Sequence, residues 1–388
     1  FQQTQTVSLT ALNFSLYYSV GPSCIPTMET SLNKANGNDG NITTVYQGCM
    51  DVKCDTVDLD AVKAHVQNKK VRVVVMAMGI DSSIEGEGHD RMDIRLPGKQ
   101  MELIQTAINA SAPSTKLVLL LFNGGMVTIE QLKLNTKLSV IECWYPGATG
   151  GRAIAEAMFG VNRFGKLPFT YYAYNYTQAS DFTNMNMSNI VPGRSYKYLK
   201  DSSLALYPAF YGLSYTTFTL SKARTTASLI HIDAPLWAGQ PQTHWLNSTV
   251  EERRDFAHVL HTHRVTSTSI VVTNTGTVVG DEVVFLFKNA TLPVLSFDMD
   301  ATVALKELIG YERVTLTPGE STTVTFNITA EMFSTVDVHG TRHVVPGTYD
   351  LILSRGHGIE VIEKVQVEMM HGMERVVVST MLAAGTQE

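Results

Sequence analysis

The chain is short of the features that direct a protein to nucleic acid, metal or membrane. Charged residues make up only 17% of its 388 residues, Asp and Glu outnumber Lys and Arg by 36 to 30, and no basic run offsets that balance. A mildly acidic surface has no electrostatic attraction for phosphate backbones or anionic lipid. No apolar stretch reaches the roughly 18–20 residues that a helical membrane span requires. The four cysteines contain no Cys-x-x-Cys pair, and the histidines lack ligand spacing, so no metal site is expected. Asn123-Gly124-Gly125 and the glycines at 147, 150 and 151 are not followed by a P-loop lysine or a spaced GxGxxG. No cofactor is therefore expected. The chain opens Phe1-Gln2-Gln3, with neither Met nor a signal peptide, which reads as a processed product or a partial sequence.

What is present suits a secreted globular protein. Hydrophobic residues make up 44% of the chain, enough for ordinary cores, and at roughly 100–200 residues per domain the length predicts two or three domains. Asn-X-Ser/Thr acceptors occur at Asn13, Asn41, Asn109, Asn175, Asn186, Asn247, Asn289 and Asn327. Chance would give about three from such a short pattern. The excess points to a secretory route and an extracellular or luminal location. Cys49 and Cys54 lie close enough to close a small disulfide loop in an oxidising compartment. Cys143 sits in an apolar segment and reads as a buried free thiol. Cys24 is free or pairs with any of the others, because four cysteines allow three full pairings.

Up to about residue 220, strand and helix signals alternate. Val71 to Met78, Lys116 to Phe122 and Leu138 to Cys143 are short apolar runs, expected as strands buried on both faces of a parallel sheet. Gly98 to Ala110 carries Met101, Leu103, Ile104, Ala107 and Ile108 at helical spacing, and Gly150 to Phe159 reads as a further helix closed by Gly160. This predicts an α/β layered domain over 1–220, a mostly parallel sheet with flanking helices. Residues 221–262, with Pro235, Trp237, Pro241 and Trp245 among polar residues, read as a linker or insertion. From 263 to 388 short β-rich runs are separated by turn signals such as Asn274-Thr275-Gly276 and Thr317-Pro318-Gly319, predicting an all-β sandwich with a tail.

The segment from Gly79 to Arg91 follows the first of those strands. Asp81, Glu85, Glu87 and Asp90 gather there with His89 and Arg91, where an open α/β sheet binds its ligands. Gly86 and Gly88 let the backbone turn sharply. A carboxyl in such a crowded loop can acquire the raised pKa of a general acid. Taken alone, the loop reads first as a solvated acidic turn and only weakly as a site, and it lacks the spacing of an EF-hand calcium site.

The loop does not stand alone. Ile84 to Arg91, followed by Leu96-Pro97-Gly98-Lys99-Gln100 and Leu103-Ile104, resembles the acid/base loop and next helix of glycoside hydrolase family 3. The likeness continues in order through Phe122-Asn123-Gly124-Gly125, Trp144-Tyr145-Pro146-Gly147, Gly165-Lys166-Leu167-Pro168, Gly193 to Tyr198 and Gly212 to Thr216. Gly280-Asp281-Glu282-Val283-Val284, Tyr311-Glu312-Arg313-Val314 and Pro318-Gly319-Glu320 resemble that family's fibronectin type III-like domain. Departures include Met126 where Pro is usual, Ala148-Thr149, and Tyr207-Pro208-Ala209-Phe210-Tyr211 for the usual Tyr-Pro-Phe-Gly-Tyr.

The resemblance implies an exo-acting, retaining hydrolase of β-linked oligosaccharides or glycosides, working through one nucleophilic carboxylate and one acid/base carboxyl about 5–5.5 Å apart. It assigns the acid/base to Glu87, with Glu85 the runner-up. It gives Asp90 and Arg91 to an ion pair that holds the loop, and His89 to the leaving-group side. The Ile-Glu-x-Glu-Gly-x-Asp-Arg form resembles β-xylosidases and α-L-arabinofuranosidases more than β-glucosidases. The family's nucleophile is an Asp on an N-terminal (β/α)8 barrel, and no barrel sequence occurs here. Even the first strand of the second domain is expected to be missing. The expected partner is a barrel domain or chain; self-association is left open. Two alternatives share the same domains: a non-catalytic structural or carbohydrate-binding glycoprotein, and a β-glucosidase of the same family.

Overall fold

The computed structural model describes residues 6–11, 26–37, 43–188, 191–233, 264–290, 304–336, 342–371 and 374–375. The chain divides into two compact units.

The first unit comprises residues 1–164, 171–178 and 203–207. Five parallel strands form its sheet: β1 (Thr6–Ala11), β2 (Thr43–Tyr46), β3 (Val71–Gly79), β4 (Lys116–Phe122) and β5 (Leu138–Glu142), in the order β2-β1-β3-β4-β5. β1 was not foreseen in the sequence, where the first strand was expected to be missing; it lies second from the edge, paired to both β2 and β3. β3 and β4 are almost wholly buried, as their continuous apolar runs require, whereas β5 is half-exposed. Helices α1 (Met28–Ala35), α2 (Leu59–Val66), α3 (Gln100–Ala110) and α4 (Gly150–Met158) complete the layers. Thr27 and Asp58 cap α1 and α2, each side chain accepting a first-turn N–H at 3.0 Å. α3 turns Leu103, Ile104, Ala107 and Ile108 inwards. A short antiparallel pair, β6 (Tyr171–Tyr172) and β7 (Ala205–Tyr207), finishes the unit.

Cys49 and Cys54 form a disulfide, with Cα atoms 4.9 Å apart. The Cys54 carbonyl accepts the Lys99 N–H at 2.9 Å, so the small loop abuts the start of α3. Cys143 is a half-buried thiol, and Cys24 lies outside the described residues.

The second unit comprises residues 165–170, 179–202 and 208–388. Its two sheets sandwich an apolar core. One sheet runs β13-β10-β8, from β8 (Phe218–Thr225), β10 (Arg264–Asn274) and β13 (Ser321–Thr329). The other runs β12-β11-β16-β17-β18, from β11 (Gly280–Ala290), β12 (Glu307–Leu316), β16 (Gly347–Ser354), β17 (Val361–His371) and β18 (Glu374–Arg375), with β9 (Leu229–Asp233) parallel to β17. A small hairpin pairs β14 (Ser334–Val336) with β15 (Arg342–Val344). Strict alternation drives the burial. Val324, Phe326 and Ile328 of β13 face Tyr349, Leu351 and Leu353 of β16 within one core. The expected linker from residue 221 is thus partly wrong. Residues 221–225 and 229–233 are strand, because Phe218, Ile230 and Ile232 alternate into the core between polar neighbours that disguised them. The remainder, 234–262, lies outside the described residues.

A buried charge cluster ties the segment 165–170 to the sandwich. Glu282, 2% exposed, accepts Lys166 Nζ at 2.7 Å and Arg355 Nη1 at 3.1 Å. Lys166 also donates to the carbonyls of Gly212 and Arg355. Tyr196, within the aromatic segment at 193–198, packs on Phe210 and Phe287 with ring centroids 5.0 and 6.2 Å away, and its hydroxyl accepts the Leu308 N–H.

Candidate active-site loop

The loop starts from a tightly fixed point. Gly79 ends β3 with φ +147°, and a Cβ there would lie 1.9 Å from the Phe122 carbonyl oxygen. The fully buried Gln100 side chain holds both peptide groups of Gly79: Oε1 accepts its N–H and Nε2 donates to its carbonyl, each at 2.8 Å. The order β2-β1-β3 places the start of the loop beside the point where successive connections leave in opposite directions, outside the carboxyl ends of the strands.

Two turns then shape it. The Asp81 carboxylate accepts the N–H and hydroxyl of Ser83, and the Asp81 carbonyl accepts the N–H groups of Ile84 and Glu85. Gly86 and His89 exchange backbone hydrogen bonds at 2.9 and 3.0 Å, which leaves Glu87 and Gly88 at the tip, with Gly88 at φ +71°. Glu87, His89 and Asp90 are exposed. Among the described residues, no side chain or backbone group hydrogen-bonds or ion-pairs with the Glu87 carboxyl.

Glu85 is in a different position. Arg91 Nε donates to Glu85 Oε2 at 3.0 Å, with the Arg91 side chain only 9% exposed, and Arg91 Nη2 donates to the Met126 carbonyl. The expected Asp90–Arg91 pair is therefore not the one formed. Adjacent residues diverge as they leave the turn, whereas the Gly86–His89 turn returns the chain so that Arg91 meets Glu85. A Cβ on Gly125 would lie 2.1 Å from Glu85 Oε2, so the glycine makes room for this ion pair. Met126, the unusual residue after the Gly pair, supplies the carbonyl for Arg91, and its Sδ accepts the Tyr172 N–H at 2.9 Å. Beyond the loop, the Ile94 carbonyl accepts the Thr128 N–H at 2.7 Å, stapling the following segment to the same wall.

A carboxyl whose pKa is raised at this rim lies outside the loop. Glu142, at the end of β5, accepts the Trp144 N–H at Oε1 and the Tyr171 hydroxyl at Oε2. Burial pushes its carboxyl up to about 7, against the hydrogen bonds from Tyr171, Trp144 and Asn123. Burial, then the Glu142 charge, pushes the Tyr171 phenol up, and burial does the same to Tyr145 and Cys143. Sequence reasoning passed over Glu142. The available signal was a lone carboxylate as the last residue of an apolar strand at the ligand-binding rim.

Comparison with known proteins matches residues 9–215 to the C-terminal domain of glycosyl hydrolase family 3, and residues 295–356 to a fibronectin type III-like domain. The chain belongs to glycoside hydrolase family 3 and holds that family's α/β sandwich domain followed by its fibronectin type III-like domain. It is 33% identical over 84% of its length to β-D-xylosidase 3 of Arabidopsis thaliana. Identity is 31% over 80% to β-xylosidase/α-L-arabinofuranosidase 2 of Medicago sativa subsp. varia, and 32% over 75% to a probable exo-1,4-β-xylosidase of Aspergillus terreus. The chain spans 43%, 38% and 34% of those relatives' own lengths. The fold matches a solved family 3 exo-β-xylosidase with a TM-score of 0.74 at 24% identity, covering 95% of this chain and 45% of that one. A β-glucosidase of Bifidobacterium adolescentis matches with a TM-score of 0.70 at 20% identity, covering 94% and 49%.

Proposed function

We propose that this chain is the acid/base-bearing part of a secreted, retaining exo-β-glycosidase acting as a β-D-xylosidase, with Glu87 as the acid/base. The observation that carries the assignment is the contrast between the two glutamates. Glu85 is bound by Arg91 beside Gly125, while Glu87 stands exposed on the Gly86–His89 turn beyond the carboxyl end of β3. A proton donor must reach a glycosidic oxygen, and Glu85 is tied through Oε2 to the largely buried Arg91 side chain whereas Glu87 is exposed. The Glu85–Arg91 pair fixes the loop, and His89 flanks the leaving group. The nucleophile is an aspartate on a barrel outside this chain, so the chain alone holds one of the two carboxyl groups that retention requires.

The xylosidase specificity rests on the names of the similar plant and fungal proteins. Secretion rests on the disulfide and on glycosylation acceptors, of which Asn109, Asn175, Asn186 and Asn327 are exposed and Asn289 is half-buried; the side chains of Asn13, Asn41 and Asn247 lie outside the described residues. The test is a panel of aryl β-D-xyloside, α-L-arabinofuranoside and β-D-glucoside, given to the isolated chain and to the complete protein with its barrel. The complete protein is expected to turn over the xyloside fastest, and the chain alone none of them. Turnover by the isolated chain, or a glucoside preference, overturns the corresponding part of the reading.

A further inference from the structure

The rim holds a buried polar group that the proposed chemistry does not use. Asn123, Glu142 and Tyr171 come from the ends of β4 and β5 and from β6. The fully buried Asn123 donates from Nδ2 to the Tyr171 hydroxyl at 3.3 Å, its amide also hydrogen-bonds Glu142, and Tyr171 donates to Glu142. Asn123 Oδ1 is buried and has no hydrogen-bond partner among the described residues. A buried acceptor left open in this way is destabilising, because it has lost its water without gaining a donor.

That acceptor becomes intelligible once the proton on Glu142 is considered. The ionised carboxylate is acceptor-only and uses the donors of Tyr171, Trp144 and Asn123. A protonated Glu142 instead needs an acceptor. Rotation of the Asn123 amide, whose two ends are nearly equal in size, brings Oδ1 into that role. The cluster thus has two arrangements, each of which satisfies the Glu142 carboxyl in one protonation state and leaves one end of the Asn123 amide open, and they differ in the orientation of Asn123.

Asn123 opens the turn that seats the catalytic loop. Two residues on, Gly125 lies against Glu85 Oε2 and Arg91 Nη2, and three residues on, the Met126 carbonyl receives Arg91. Tyr172, next to Tyr171, grips the same residue through Met126 Sδ. We infer that Glu142 is a proton-switched positioning residue, whose proton sets the orientation of Asn123 and through the 123–126 turn the seat of the Glu85–Arg91 pair beneath Glu87. This rests on the reading of Glu87 only for its consequence in catalysis; the coupling between cluster and loop stands without it.

The surroundings favour a proton-controlled state near neutrality. Tyr171 faces Glu142 from β6, Asn123 from β4, and Cys143 and Trp144 from its own segment. Arg91 acts on the Tyr171 phenol, and among the described residues no Lys or Arg pairs with Glu142.

Hydrogen exchange by mass spectrometry separates this inference from the assignment of Glu87. Peptides covering 80–95 and 120–128 are followed in the chain at pH 5.5 and 8.5, with intrinsic exchange rates corrected. Protection is expected to differ between the two pH values by at least about threefold in wild type, and to lose that difference in Glu142→Gln. A wild-type chain without pH response, or a Glu142→Gln chain that keeps it, overturns the inference. Tyr171→Phe removes a donor to the ionised form, so its response midpoint is expected to move up by about 1–2 pH units; an unmoved midpoint also overturns it, even if Glu142→Gln fails to fold. In the complete protein the near-neutral limb of kcat/KM is expected to vanish in Glu142→Gln. Lack of glycosidase activity there would count against the proposed function while leaving the exchange result intact.

Discussion

Replacing Glu282 by Gln removes the anion between two largely buried cations. The Lys166 and Arg355 side chains are 11% and 17% exposed, and Glu282 receives both at 2.7 and 3.1 Å. Deleting one partner of such a cluster costs about 3–5 kcal/mol, because the remaining charges stay buried without compensation. In a unit of about 200 residues, each kcal/mol corresponds to roughly 2–4 °C in Tm. The sandwich transition should therefore fall by about 6–20 °C, read by differential scanning calorimetry at pH 7. The pH dependence carries a second signature. Burial already depresses the Lys166 pKa against the pull of Glu282, and loss of that pull depresses it further. A lysine with a depressed folded pKa binds fewer protons folded than unfolded, so its contribution to stability rises with pH between the folded and unfolded values. The deficit of Glu282→Gln should narrow as pH is raised towards about 10. A fall below about 3 °C at pH 7, or a deficit that widens with pH, would refute the reasoning.

Other consequences follow from the rim and the disulfide. Glu142 has a folded pKa of about 7 against a reference of 4.5. Its proton is bound more tightly in the folded state, so stability is lost as pH rises from about 4.5 to 7, by about 3 kcal/mol in all. Urea unfolding at stepped pH should show that slope in wild type and a flatter profile in Glu142→Gln. Gly125→Ala should displace the Glu85 carboxylate and cut kcat/KM of the complete protein by about 10²-fold, the scale expected when a catalytic loop is misplaced by about 1 Å, while circular dichroism stays near wild type. Converting both Cys49 and Cys54 to Ser should cost about 2 kcal/mol for so small a loop, measured by denaturant unfolding, with faster amide exchange at the start of α3.

Much of the fold was legible because burial writes itself into the sequence in two ways. β3 and β4 announced themselves as continuous apolar runs, and β13 as a short β-rich run set off by turn residues. β1 and β2 did not, since Thr-Val-Ser-Leu-Thr-Ala and Thr-Thr-Val-Tyr are short and rich in hydroxyls. β8 and β9 were hidden by the charged and polar residues on their outer faces, and so passed for linker. At the site, the loop and its two candidate glutamates were visible, but the partner of Arg91 was not. Only the backbone pairing of Gly86 with His89 brings positions 85 and 91 together, and spacing along the chain does not encode that return. Glu142 was invisible for a related reason: its meaning comes from Asn123 and Tyr171, 19 and 29 residues away in sequence.

The claim that Glu87 is the proton donor is tested most directly in the complete protein, with Glu87→Gln assayed on aryl β-D-xylosides of graded leaving group. The account predicts a loss of about 10²–10⁴-fold in kcat/KM on poor leaving groups, near-normal formation of the glycosyl-enzyme from a dinitrophenyl xyloside, and rescue by azide to give a β-xylosyl azide of retained configuration. A Glu87→Gln enzyme that hydrolyses poor leaving groups like wild type, while Glu85→Gln shows the azide-rescued loss, would contradict it.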